Sequence, residues 1–141
     1  MGAWGHAIFD NDDAADWVYE LEASGGDELL ERTLASVATA GAGEYVEAPD
    51  GAAALAAAEV VAAALTGSRD MLVAGGSYAE GALRWVEANG ATVRPSLAPL
   101  ALAALRRVRD SSELRELWDD AGADDWLAEL ASLERRLERA A

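Results

Sequence analysis

Residues 113–137 read Glu-Leu-Arg-Glu-Leu-Trp-Asp-Asp-Ala-Gly-Ala-Asp-Asp-Trp-Leu-Ala-Glu-Leu-Ala-Ser-Leu-Glu-Arg-Arg-Leu. Leu114, Leu117, Trp118 and Ala121 fall at the i, i+3, i+4, i+7 spacing of one helical face, and Trp126, Leu130, Leu133 and Leu137 repeat the pattern. Gly122 separates the two runs, and a link this short predicts an antiparallel helical hairpin. Upstream, Leu97, Leu100, Ala101, Ala104, Leu105 and Val108 predict a helix that begins at Ser96. Arg106, Arg107 and Arg109 lie near its C-terminal end, where cations suit the helix dipole. Asp110 and Glu113 are expected to cap the helix that follows.

The same period recurs toward the N-terminus. Ala14, Trp17, Val18 and Leu21 mark a helix stopped by Ser24-Gly25-Gly26, and Leu30, Leu34 and Val37 mark another that starts near Asp27. Pro49-Asp50 opens an Ala-rich helix with Leu55, Ala58, Val61 or Ala62, and Leu65 on its buried side, ended by Gly67. Its least polar run, residues 51–65, contains Glu59 and is read as too short and too weakly apolar to span a bilayer. Ser77 and Glu80 have capping-box spacing ahead of a helix bearing Leu83, Val86 and Trp85. Met71-Leu72-Val73 has the character of a strand but lacks a second strand to pair with. Residues 2–9 are too glycine-rich for a helix and read as an irregular arm whose Trp4, Ile8 and Phe9 tuck inward. The expectation is an all-α single domain over residues 1–141: a compact bundle of about five to seven short helices with an N-terminal irregular arm, a C-terminal helical hairpin and at most a token strand. Trp17, Trp118 and Trp126 are expected to be mostly buried, which would make Trp118→Ala cost about 3–5 kcal/mol.

Charge bounds the function. The chain carries a formal −15, and residues 1–93 hold sixteen acids against three arginines, a net −13. Such a field repels nucleic acid and anionic membrane surfaces and attracts a basic protein. Acidity also serves solubility, and the absence of lysine beside eleven arginines and abundant Ala and Gly suggests a GC-rich genome. With no cysteine there is no disulfide framework, thiol nucleophile or thiolate zinc site. No stretch at the N-terminus combines a basic region with an apolar one, so a cytoplasmic location is expected.

The opening Met1-Gly2-Ala3-Trp4-Gly5-His6-Ala7-Ile8-Phe9-Asp10-Asn11-Asp12-Asp13-Ala14-Ala15-Asp16-Trp17 resembles the start of the bacterial family DUF4259. Its members characteristically begin with a Trp-Gly segment followed by Phe-Asp-Asn-Asp-x-Ala-x-Asp. Residues 57–63, Ala-Ala-Glu-Val-Val-Ala-Ala, and residues 112–118, Ser-Glu-Leu-Arg-Glu-Leu-Trp, also fit the family pattern, so the resemblance covers nearly the whole chain. His6 departs from it, because a small or hydroxyl residue is expected there. The family's function is unknown, and the resemblance implies no catalytic residue, cofactor or ligand.

Trp4, His6, Asp10, Asp12, Asp13 and Asp16 are the binding candidates that the residues themselves suggest. An EF-hand beginning at Asp10 fails at its fifth, sixth and twelfth places, occupied by Ala14, Ala15 and Leu21. The acids are expected instead to cap and polarise the first helix, with Asp10 or Asn11 as the cap. His6, the single histidine, has no second ligand histidine. Glu59, if buried, needs an arginine such as Arg84, Arg106 or Arg107. Gly75-Gly76-Ser77 matches neither the P-loop nor the dinucleotide fingerprint. No catalytic, metal or cofactor residue is therefore singled out. An acidic module that binds a basic protein, in the manner of an inhibitor or immunity partner, is the first expectation; a metal- or carboxylate-dependent enzyme using Asp10 to Asp16 is the alternative.

Overall fold

The computed structural model describes residues 7–141, and among them the chain forms eight α-helices and no strand. They are α1 (Asp12–Glu22), α2 (Glu28–Ala38), α3 (Ala48–Thr66), α4 (Asp70–Ala74), α5 (Glu80–Asn89), α6 (Leu97–Asp110), α7 (Glu113–Ala121) and α8 (Asp124–Ala140), with short 3-10 turns at Gly76–Tyr78 and Gly90–Thr92. The all-α class matches the sequence reading, and the number of helices exceeds it.

α3 is the centre, and every other helix touches it. Its residues from Gly51 to Ala63 are buried except Ala53, so it has no polar face, as expected of a helix enclosed on all sides. Alanines at 52, 54, 56, 57, 58, 62 and 63 let α1, α2, α6 and α8 approach closely. Gly67, at φ 80°, ends it in the left-handed conformation and donates its N–H to the Ala63 carbonyl at 3.0 Å. The helix extends past the run read from sequence. At 19 residues and a mean hydropathy of 1.4 it is long and apolar enough, by those measures, to cross a bilayer; 67% of that span is buried inside the bundle.

Ile8 and Phe9 are buried, as the arm reading requires, while Trp4 lies outside the described residues. α1 buries Ala14, Trp17, Val18 and Leu21, and α8 buries Trp126, Leu130, Leu133 and Leu137, both as their spacing predicts. α1 packs against α5. A Cβ on Gly81 would stand 2.8 Å from Val18 Cγ1, so the glycine permits this close packing, and Trp85 Nε1 donates to the Ser24 carbonyl at 2.8 Å.

Several local expectations are corrected. Met71–Val73 belongs to the single helical turn α4, in which Val73 N–H bonds to the Arg69 carbonyl and only Leu72 is buried. Ser77 does not cap α5, because the 3-10 turn intervenes and the helix begins at Glu80 without a side-chain cap. α7 is capped by Ser112, whose hydroxyl accepts from Arg115 N–H at 3.1 Å and donates to the Val108 carbonyl at 2.6 Å. Glu113 instead serves a different helix: its Oε1 accepts the Ala48 N–H at the start of α3 at 2.7 Å. α8 does not fold back along α7 as a hairpin; it packs on α6 and α3, and the corner at Gly122 is held by Trp118 stacked on Trp126 with ring centres 6.2 Å apart. Trp118 is consequently half-buried, whereas Trp17 and Trp126 are buried. Leu65, Leu83, Leu100 and Leu117 are also only half-buried, and Leu29 and Leu102 take up core positions the spacing did not assign.

Candidate functional site

Asn11 fixes how the chain enters α1. Its backbone is extended, its side-chain oxygen accepts the Ala14 N–H at 2.7 Å, and its amide donates to the Ile8 carbonyl at 3.1 Å. One neutral side chain thus ties the buried Ile8-Phe9 pair to the first helical turn. Of the two candidate caps, Asn11 does the capping, while Asp12 and Asp13 occupy the first turn near the positive end of the helix. Replacing Asn11 by alanine is expected to cost about 1 kcal/mol, read as a lower urea midpoint at unchanged slope. An unmoved midpoint would show that the clamp holds nothing.

With capping assigned to Asn11, Asp10 faces elsewhere. It lines a recess of about 160 Å³ between this N-terminal turn, α3, α4 and α8, together with Ile8, Phe9, Glu59, Ala74 and Glu129. That is below the roughly 300 Å³ at which pockets for small organic ligands begin. The floor carries the buried charge. Glu59, 2% exposed, accepts from Arg136 Nη1 at 2.6 Å and Nη2 at 3.3 Å, a two-bond pairing of the kind guanidinium groups make with carboxylates. Burial pushes the Glu59 carboxyl above its ordinary range; Arg136 pulls it back and Glu129 adds to the rise, leaving a net upward shift. Arg136 Nε is buried without a hydrogen-bond partner, so the pair is incompletely satisfied.

The arginines named from sequence as partners of Glu59 are engaged elsewhere. Arg84 pairs with Glu22 and Glu80, and Arg106 with Glu134 and Glu138. Arg107 donates to the carbonyls of Ala40, Glu44 and Ser111, and so ties the α2–α3 loop to the end of α6. Arg136 and Glu129 escaped the sequence reading. A signal was present: Arg136 lies three residues beyond Leu133, on the flank of the inward stripe of α8, and Glu129 lies seven residues before it.

The acidic candidates separate. Asp10 turns to the recess. Asp12 and Asp16 are exposed on the outer side of α1, in line with Glu20 one turn on. Asp13 sits half-buried between them, its carboxyl pushed up by burial and by the charges of Asp16 and Asp12. Among the described residues no three His, Asp or Glu side chains are arranged to hold a metal ion, and Trp4 and His6 lie outside the described residues. Asp12, Asp16 and Glu20 form no ion pair among the described residues. Like charges at i, i+4 cost a helix about 0.2–0.5 kcal/mol per pair, and only Asp12 is close enough to the helix start to be offset by the dipole. Tyr19 stands among them, 76% exposed.

The molecule is thus a small acidic helical domain, defined by an Asn-clamped helix entrance and a buried Glu–Arg pair below a narrow recess. The chain belongs to the DUF4259 family, a domain of unknown function, whose profile matches residues 2–129. Two of the blocks that carry the family resemblance, residues 7–17 of the opening and residues 57–63, meet at this recess, and the third, residues 112–118, joins α7 to the start of α3. No curated protein and no solved structure matches the chain.

Proposed function

We propose that this domain is an acidic protein-binding module whose partner is a basic protein, in a cytoplasmic setting. The supporting observation is the distribution of unpaired charge. Arg84, Arg94, Arg106, Arg109, Arg115 and Arg136 are engaged with carboxylates of the chain, and Arg107 with carbonyls. Among the described residues Asp12, Asp16 and Glu20 of α1 have no such counterpart, while Glu22 at its end pairs with Arg84, so part of the excess negative charge is presented rather than neutralised. Charge of this kind steers a cationic partner and weakens with salt.

The test is isolation of the chain with its partner from its source cells, followed by reconstitution from the two purified proteins. A positively charged partner, saturable 1:1 binding at about 0.15 M salt and a steep loss of affinity at higher salt are expected. A reconstituted partner that is acidic, or binding indifferent to salt, would overturn the proposal.

A second reading, a carboxylate-dependent enzyme, draws on Glu59 and Asp10. A buried carboxyl shifted upward at a recess is a recurrent feature of acid–base sites. It is favoured only if the chain turns over a substrate and Glu59→Gln, still folded, abolishes that turnover.

A further inference from the structure

The recess below the N-terminal turn has a single chemical character. Ile8, Phe9, Met71 and Ala74 give it apolar walls, and its polar side chains are the carboxyls of Asp10, Glu59 and Glu129. None of its described lining side chains carries a hydrogen-bond donor when those acids are ionised. Glu59, 2% exposed, keeps acceptor capacity at the floor: Arg136 gives each of its oxygens one bond, at 2.6 and 3.3 Å, and a carboxylate has about four lone-pair sites. The side chain of Asp10 makes no hydrogen bond or ion pair among the described residues. At about 160 Å³ the recess matches the roughly 150 Å³ of a cavity that holds one benzene-sized guest.

We infer that this recess binds a primary ammonium group on a short alkyl stem, carried by a small free amine or by a lysine side chain; the site stands independently of the protein-binding reading above. An ammonium has three donors and no acceptor, the complement of a lining that offers acceptors alone. Burial and the neighbouring charge of Glu129 both push the Glu59 carboxyl upward, and a cation beside it relieves that field. The three acids are not arranged to hold a metal ion, and the apolar walls suit a methylene stem. A guanidinium fits less well, because the edge of the Glu59 carboxylate is already taken by the fork of Arg136, whereas a compact ammonium bonds single oxygens.

The probe is n-butylammonium chloride, titrated into the full chain at neutral pH and about 0.15 M salt and followed by amide chemical shifts. Saturable shifts are expected on residues 8–10, 71–75 and 129. Butanol, with the same stem and no charge, and butyrate, with the charge reversed, are expected to bind at least about tenfold more weakly. Asp10→Asn, which removes a carboxylate from the recess, should lower affinity about tenfold at unchanged circular dichroism. Ala74→Leu, which fills the recess without touching a charge, should lower it as well. Asp16→Asn, on the outer face of α1, should leave it within about twofold. A capped peptide with a single lysine separates the two sources: shifts at the same residues assign the lysine side chain, and binding by the amine alone assigns a free amine. Butanol binding as tightly as butylammonium would overturn the site. Equal losses in Asp10→Asn and Asp16→Asn, shifts scattered over acids throughout the chain, or no saturable binding of either probe would overturn it too.

Discussion

Arg136→Met is expected to destabilise the fold by about 3–5 kcal/mol at neutral pH, because it leaves Glu59 buried and charged with no counter-ion. The effect should depend on acidity in a definite direction. Burial already raises the Glu59 carboxyl in the parent chain, and removal of the one pairing that lowers it raises it further. Between the unfolded value, about 4.3, and the folded one, the native variant binds a proton that the unfolded chain does not. Its stability therefore falls as pH rises through the folded value and recovers as pH is lowered toward the ordinary carboxyl range. Asp27, Asp110 and Glu134 work the other way. Arginine partners hold them low, so their contributions disappear on acidification in both proteins. The difference between variant and parent isolates Glu59, and urea titrations across pH 4–8 should show it shrink toward the acid end. A loss under about 1 kcal/mol with no acid recovery would mean that water replaces the guanidinium.

The companion variants sharpen the point. Glu59→Gln should be milder than Arg136→Met, since the side chain of Arg136 is 15% exposed and can reach solvent, whereas Glu59 cannot. Replacing both, with Glu59→Leu and Arg136→Met, should be nearly neutral or stabilising.

Trp126→Ala is the second large expectation, at about 3–5 kcal/mol, since the ring is 2% exposed and belongs to the same core as Leu130. Trp118→Ala should cost clearly less, about 1–2 kcal/mol, by removing one side of the stacked pair at the α7–α8 corner while opening no enclosed cavity. This revises the larger cost that helical spacing alone assigns to Trp118. Chemical denaturation of the two variants side by side checks the order, and equal losses would show that the corner is as closed as the core.

Helical spacing made the long helices legible, and in α1 and α8 their buried sides as well. The stripes of α1 and α8 are recovered residue for residue because their polar faces break the pattern cleanly. α3 is the opposite case: nearly everything on it is apolar, so periodicity does not mark a face, and the burial of Glu59 follows only from the helices wrapped around it. Trp118 was misassigned because spacing gives direction and not the distance to the next layer. The acids at 10–16 were read as one group since they are neighbours in the chain. Asp10 lines the recess while Asp12 and Asp16 stay on the outer face of α1; spacing places Glu129 and Arg136 together on the flank of α8, but only the packing of α8 on α3 shows that Glu59 is the acid they meet.

The enclosure of α3 has a consequence during synthesis. Its outermost covering includes α6 and α8, and the Arg136 that neutralises Glu59 lies 77 residues further along the chain. At about 5–20 residues per second, some 4–15 s separate the appearance of Glu59 from that of its counter-ion. Until then the 19-residue segment of α3, long and apolar enough by length and composition to cross a bilayer, lacks the arginine that pairs with its buried acid in the finished fold. The bundle can close over that segment only once α8 has been made, so the order of translation, rather than the finished fold, sets how long α3 stays uncovered.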